Sequence, residues 1–329
     1  MKSKILALAP MEGVTDIVFR QVVAHADRPD LFFTEFTNVS SFASEKGRHD
    51  ALSRLEISET DPPIIAQIWG KNPDHFSELA SALKSMGFAG IDLNFGCPDR
   101  HVNRAGGGAA MIRTPELAVE CIRRAKKASN GLPVSIKTRL GFTYLEERTE
   151  WLKTLLKESP STLTVHLRTR KEMSKVPAHY ELIPEIISLR SEFSPETNIF
   201  INGDIKNRSE ALALAEKYPE LDGFMIGRGV FQNPFCFKET PDGSPYSPTN
   251  SELLELFRFH LDVFDKENKK REERGEKPFA YEPLKHFFKV YIKDFPGASE
   301  LRTKLIDCKN TDELRKTLDY SIRDGIFRP

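Results

Sequence analysis

Eight short apolar runs alternate with amphipathic segments through about the first 230 residues, and only helical periodicity follows residue 250. Polar side chains collect at the ends of nearly all eight runs. These observations predict an α/β fold, a (β/α)8 TIM barrel followed by a small all-helical C-terminal domain. The expected limits are 1–240 for the barrel, 241–250 for a linker and 251–329 for the helices.

The runs are Ile5–Ala9, Leu31–Phe36, Ile64–Trp69, Gly90–Asn94, Val134–Thr138, Leu163–Leu167, Ile199–Asn202 and Gly223–Ile226. Each is strand-sized, and most intervals carry helical spacing, as in Phe76, Leu79, Ala80 and Leu83. One helix opens as Thr114-Pro115-Glu116, with an N-cap residue, a first-turn proline and an early acid. A doubly wound sheet is the rival arrangement, but it gives no reason for eight units. The break at Glu239–Asn250 holds Pro241, Gly243, Pro245 and Pro248 among polar residues. Beyond it, segments 251–270, 281–294, 298–307 and 311–323 place apolar residues at steps of three and four.

Composition narrows the function classes. The 329 residues are 39% hydrophobic and 29% charged, ordinary for a globular protein. Lys+Arg and Asp+Glu both number 48, so bulk attraction to nucleic acid or membrane is absent and any such binding needs local basic patches. No apolar run is long enough to span a membrane. The short apolar run after Lys2 and Lys4 leads straight into a folded motif, so no signal peptide is expected. Cys97, Cys121, Cys236 and Cys308 lie far apart without a CxxC, which argues against a disulfide framework or a metal site and fits a reducing cytoplasm.

In such a barrel the active site lies at the carboxyl ends of the strands. The first run leads into Pro10, Met11 and Glu12, and the third holds Gln67. The fourth ends in Asp92 and Asn94, then Gly96-Cys97-Pro98. Lys137 and Arg139, then His166 and Arg168, end the fifth and sixth. Asn202-Gly203-Asp204 and Gly227-Arg228-Gly229 end the last two. Glycines and a guanidinium at these last loops suit a phosphate, although tight strand-to-helix turns explain either loop alone equally well. Gly106-Gly107-Gly108 is not a dinucleotide fingerprint. A phosphate held on a barrel points to FMN or to a sugar phosphate. Lys137 requires an anionic partner, for which a reduced flavin edge and Asp92 both qualify, and a Schiff-base lysine is the third reading.

Six motifs in order resemble the tRNA-dihydrouridine synthase family. They are Ala9-Pro10-Met11-Glu12-Gly13-Val14-Thr15-Asp16, Asp92-Leu93-Asn94-Phe95-Gly96-Cys97-Pro98 with Gly106-Gly107-Gly108-Ala109, Val134-Ser135-Ile136-Lys137-Thr138-Arg139-Leu140-Gly141, Val165-His166-Leu167-Arg168-Thr169, Asn202-Gly203-Asp204-Ile205 and Met225-Ile226-Gly227-Arg228-Gly229. Leu284-Lys285-His286-Phe287-Phe288-Lys289 is similar to that family's helical domain. Thr34-Glu35-Phe36 looks closest to the branch acting on position 16 of the D-loop. The chain departs from the family at Leu167, where a glycine is usual, at Arg100, where lysine is common, and in Arg170–Val176, which lacks a Gly-Tyr pair.

The resemblance implies reduction of the C5–C6 double bond of a uridine in tRNA, with FMN as cofactor, NADPH as electron donor and a monomeric chain. Cys97 matches the catalytic cysteine, which gives C5 its proton. Pro10, Met11, Gln67, Lys137, His166, Asn202, Gly203, Asp204, Gly227 and Arg228 fall to the cofactor. Asn94, Arg100, Arg139, Arg168, Lys285 and Lys289 fall to the substrate. Residues 241–329 carry 17 Lys+Arg and 17 Asp+Glu, so RNA contact there rests on placement, with Lys285, Lys289 and Lys293 expected on one helical face. A target uridine inside folded tRNA must be flipped out. Three other readings stay open: a flavin barrel reducing a free pyrimidine or enone, a sugar-phosphate lyase using Lys137, and a non-catalytic tRNA-binding relative.

Overall fold

The computed structural model describes residues 3–61 and 63–323. The chain divides into two compact units. The first comprises Met1–Ile17 and Pro29–Gly227, the second Val18–Arg28 and Arg228–Pro329.

The first unit is a barrel of parallel strands: β1 (Ile5–Leu8), β2 (Phe32–Phe33), β3 (Thr37–Asn38), β4 (Ile64–Trp69), β5 (Gly90–Phe95), β6 (Val134–Arg139), β7 (Thr162–His166), β8 (Asn198–Asn202) and β9 (Gly223–Ile226). The hydrogen-bonded order runs β1-β9-β8-β7-β6-β5-β4-β2, with β3 also on β4. A single parallel bridge, Ala7 to Leu31, closes the circle between the first and second staves. There the Leu8 N–H donates to Leu31 C=O at 3.1 Å and the Asp30 N–H to Leu6 C=O at 2.9 Å.

The second predicted run, Leu31–Phe36, is the one that the structure cuts short: only Phe32–Phe33 forms a strand, β2, and β3 begins just past the run's end. The early stop has a local cause. The Gln67 N–H donates to the Thr34 hydroxyl oxygen at 3.1 Å. That hydroxyl in turn donates to the Glu35 carbonyl. A side chain thereby takes a ladder position that backbone would otherwise hold.

Side chains alternate across a strand, so Ser135, Lys137 and Arg139 share one face of β6. That face points into the barrel, because Lys137 meets Asn202 of β8 although β7 lies between the two strands. The floor of the barrel is apolar: Ala7, Ala9, Phe33, Phe200 and Met225 cluster, with Ile5, Leu31 and Ile65 against them. Above Phe200 and Ile65 on the same strand faces stand Asn202 and Gln67, where the lining becomes polar. The helix predicted at Thr114 begins at Pro115 and runs to Ala128, but the Thr114 side chain makes no capping bond.

In the second unit, the segment Val18–Arg28, which holds most of the first helix (Ile17–Ala26), packs through its aromatic ring. The Phe19 ring lies 4.6 Å from Phe287 and 6.2 Å from Phe231. Residues 241–249 hold no helix or strand. A capping box of Thr249 and Glu252 then starts the helix Asn250–Glu273. Glu282–Phe287 is a 3-10 helix that continues as the short α-helix Phe288–Tyr291, and Ala298–Ile306 and Thr311–Arg323 complete the unit. Among the described residues no helix is long and apolar enough to cross a membrane.

Candidate active site

Four side chains from adjacent strands form one hydrogen-bonded lattice. Gln67 Nε2 donates to Asp92 Oδ2 at 2.6 Å, and Ser135 Oγ donates to Asp92 Oδ1 at 2.6 Å. Asn94 Nδ2 donates to Gln67 Oε1 at 2.9 Å. Asn94 Oδ1 then accepts the backbone N–H of Cys97 at 2.9 Å and that of Gly96 at 3.2 Å. A carboxylate only accepts, so Asp92 orients the Gln67 amide, which orients Asn94, which fixes the loop carrying Cys97. Asp92 is fully buried. Burial pushes its carboxyl up to about 6, against the hydrogen bonds of Ser135 and Gln67 and the charge of Lys137.

The Cys97 carbonyl is held as firmly as its N–H. It accepts from the Ala109 N–H at 3.1 Å and from Asn103 Nδ2 at 2.8 Å. Gly108 makes this possible: its φ is +59°, and a Cβ there would stand 2.9 Å from the Cys97 oxygen and 3.1 Å from its Cβ. The glycine cluster therefore serves close backbone approach to the cysteine loop. The thiol itself is half-buried, and desolvation raises its pKa above the ordinary value. It thus stays protonated at neutral pH.

Lys137 faces Asn202 Oδ1 at 3.2 Å, its one hydrogen bond to another described residue. Burial lowers its pKa to about 8, with the Arg139 charge adding to the effect and Asp92 opposing it. Asn202 is pinned in turn, Nδ2 donating to Met225 C=O at 2.8 Å. An ammonium has three donors, so Lys137 retains capacity for an anionic acceptor. Beyond Asn202, Gly203 has φ +124°, and a Cβ would come 3.2 Å from Ala178 Cβ. Gly227 ends the first unit after β9, while Arg228 opens the second as an exposed residue before the helix Gly229–Gln232. Register sets His166 beside Arg139 on one side and Asn202 on the other. Pro10 and Met11 lie half-buried where β1 ends, in a turn closed by the Thr15 N–H on Met11 C=O at 2.9 Å.

Two arginines expected to meet substrate are buried and brace the rim loops. Arg139 donates to Gly96 C=O at 2.8 Å, to Thr169 C=O at 3.1 Å and to Met173 C=O at 3.0 Å. Burial lowers its pKa to about 10. Arg168 is 2% exposed; it pairs with Asp204 and donates to Val176 C=O at 2.6 Å. Asp204, expected at the cofactor, also accepts the Ala178 N–H at 3.0 Å and so ties down the loop 168–178. Loop carbonyls near the rim need donors, and a long buried guanidinium supplies several at once. Arg100 is exposed at the start of the short helix Arg100–Arg104. The lysine stripe is corrected: Lys285 lies in the 3-10 helix, Lys289 in the short α-helix and Lys293 past its end, so they share no single α-helical face. Lys285 is engaged by Glu282 at 2.8 Å, whereas Lys289 is exposed.

Sequence reading missed a cavity of about 700 Å³ beside Cys97, lined among others by Glu12, Phe36, Asp50, Arg54, Trp69 and Asp99. Arg54 bonds Glu12 at 3.0 Å. Behind them Glu35 accepts the Gly13 N–H at 2.6 Å. Burial, with Asp16 and Glu12 nearby, raises Glu35 to about 7. Glu12, Glu35 and Arg54 come from three separate segments; Glu12 and Thr34-Glu35-Phe36 are singled out in the sequence, whereas Asp50 and Arg54 are not. Among the described residues no group of three or more His, Cys, Asp or Glu is placed to hold a metal ion.

A closed parallel barrel with a polar lattice and a pinned thiol at its carboxyl rim defines a TIM-barrel enzyme. The chain belongs to the dihydrouridine synthase family, whose profile, "Dihydrouridine synthase (Dus)", matches residues 7–326. It is 49% identical to "Probable tRNA-dihydrouridine synthase 2" of Bacillus subtilis (strain 168), covering 97% of this chain and 95% of the relative. It is 48% identical to "Probable tRNA-dihydrouridine synthase" of Staphylococcus aureus (strain COL), covering 95% and 91%. Among solved structures it is similar to the old yellow enzyme homologue from Zymomonas mobilis, at TM-score 0.48 and 14% identity, over 75% of this chain and 96% of that one.

Proposed function

We propose that this chain reduces the C5–C6 double bond of a uridine in tRNA, with FMN as cofactor, NADPH as electron donor and the Cys97 thiol as acid. The reading rests on one observation above all: a protonated thiol held from both sides of its backbone, at the end of a lattice that begins beneath the barrel mouth. The residues fit a flavin phosphate ester. Lys137 has donor capacity for an anionic ring edge, Gln67 keeps one amide N–H beyond its bond to Asp92, and Gly203, at φ +124°, gives the loop after β8 a backbone conformation that a side chain would strain and in which a backbone N–H would be offered to phosphate oxygens. When bound, FMN supplies the hydride that goes to C6.

The chain's own residues then do three things. Asn94 and the Asp92–Gln67 pair hold the Cys97 loop in register with the uracil ring. Cys97 gives its proton to C5, which its raised pKa permits at neutral pH. Lys137 offsets the negative charge that reduction places on the ring edge. Comparing tRNA from cells lacking and carrying this gene by mass spectrometry tests the reading and locates the position. Loss of one dihydrouridine in the deleted strain is expected. An unchanged tRNA, or a colourless purified protein that takes up no FMN, overturns it.

A further inference from the structure

Two rim loops, 140–147 after β6 and 168–176 after β7, are zipped together by backbone. The Leu140 N–H donates to Arg168 C=O at 3.2 Å, the Arg170 N–H to Gly141 C=O at 2.8 Å and the Lys171 N–H to Phe142 C=O at 3.0 Å. Aromatic rings and cations are interleaved on this platform. The guanidiniums of Arg113 and Arg170 each lie over the Phe142 ring, 5.2 Å from its centre. The Lys171 ammonium lies 5.7 Å over Tyr144. Tyr144 is 62% exposed, and Met173 on the other loop is 44% exposed.

The charge of the platform is not what its composition suggests. Two of the three carboxylates on these loops are turned inward. Glu147 accepts the Phe142 N–H at 2.5 Å and the Thr143 N–H at 3.0 Å. Glu172 accepts the Thr169 N–H at 2.7 Å and meets His179 at 2.9 Å. Glu146 stays exposed, against exposed Arg113, Lys171 and Lys175 and half-buried Arg170. The outward face is therefore cationic in a chain of zero net charge. The bay beside Cys97 has the opposite balance, with Glu12, Asp50 and Asp99 against Arg54 in its lining.

We infer that the loops 140–147 and 168–176 form a shelf that grips a single-stranded stretch of substrate RNA flanking the target uridine, with Tyr144 stacked on one base and Arg113, Lys171 and Lys175 on phosphates. An exposed aromatic face set among cations is the arrangement that holds unpaired nucleotides, since bases within a duplex already stack on each other. The inference rests on tRNA being the substrate.

The test is a titration of unmodified tRNA against the full-length, flavin-loaded protein, read by fluorescence anisotropy at physiological salt. Tyr144→Ala is expected to weaken binding about tenfold, within the range for losing one stacked base. Tyr144→Phe keeps the ring and restores binding. Lys171→Ala flattens the salt dependence by about 0.7 in log–log slope, the value of one phosphate contact to a single strand. A single-stranded oligoribonucleotide competes better than its duplex. Binding by Tyr144→Ala as tight as that of the unaltered protein overturns the shelf, as does a Phe variant as weak as the Ala one or a duplex that competes equally. Dihydrouridine formation by the unaltered protein, with no effect at Tyr144, sinks the shelf alone. Tyr144-dependent tRNA binding without any dihydrouridine sinks the reductase reading and leaves the shelf standing.

Discussion

The acidic bay beside Cys97 and the basic shelf at Tyr144 stand on one barrel rim, yet they handle charge in opposite ways. In the bay, Glu12, Asp50 and Asp99 share one lining, and Glu35 behind it has its pKa raised to about 7 by burial, with Asp16 and Glu12 adding to the effect. On the shelf, carboxylates are spent on loop amides and cations face outward. The bay suits a neutral base and the shelf suits its phosphates, so the rim itself separates the two parts of a nucleotide strand. Arg139 joins the regions, holding Gly96 of the cysteine loop and Thr169 and Met173 of the shelf loop with one guanidinium.

The largest effect is expected where chemistry meets the bay. Cys97→Ala should lower dihydrouridine formation at least about a hundredfold, the usual worth of a positioned acid, while flavin remains bound. Quantifying the nucleoside by mass spectrometry after single turnover checks this, and full product would remove the thiol from the reaction.

Lys137→Met probes the polar lining of the barrel above its apolar floor. It removes a buried charge whose one described hydrogen-bond partner is Asn202, so the flavin-free protein should melt higher. Flavin affinity should fall by roughly tenfold or more for loss of a charge-assisted bond. Calorimetric melting and a flavin titration give both numbers; equal affinity would place the ring edge elsewhere.

Arg139→Ala cuts the link itself. It strands three loop carbonyls, and about 3 kcal/mol of stability should go, read as a lower urea midpoint. Protease cleavage within 168–176 should rise in parallel. A stability loss without loop exposure would mean that the shelf holds itself up through its backbone zipper alone.

Glu35→Gln tests the bay's charge. In the folded chain Glu35 keeps its proton up to about pH 7, whereas its ordinary value is 4.5. The folded state therefore binds more protons between those limits, and stability falls as pH rises through that window. The Gln variant should lose that part of the fall, on the order of 2 kcal/mol, when urea midpoints at pH 5 and pH 8 are compared. Parallel profiles for both proteins would show Glu35 ionised at its ordinary value.

Much of this was legible beforehand, and the failures have physical reasons. Seven of eight strand runs, along with Gln67, Asp92, Asn94, Lys137 and Asn202 at their ends, follow from short apolar runs that end in polar residues. The second run stops at Phe33 because the Thr34 hydroxyl takes the Gln67 N–H, which no periodicity records. Arg139 and Arg168 read as substrate contacts at strand ends, since spacing does not say that loop carbonyls will fold over them. Glu12, Glu35 and Arg54 meet only after the chain has turned twice, and Tyr144 owes its setting to a zipper between two loops.

The smallest effect belongs to the second unit, where a stripe was expected from spacing of four. A 3-10 turn advances three residues per turn, so Lys285 and Lys289 leave register across the change of helix type at Phe288. Lys285 is also neutralised by Glu282. Lys289→Glu alone should then raise the Michaelis constant for tRNA about three- to tenfold, as expected for one exposed charge reversed near RNA. Lys285→Glu should do less, because its ammonium already sits on a carboxylate. Equal effects from both would mean that RNA pulls Lys285 away from Glu282, and no effect from either at physiological salt would leave the barrel rim to carry the phosphate contacts by itself.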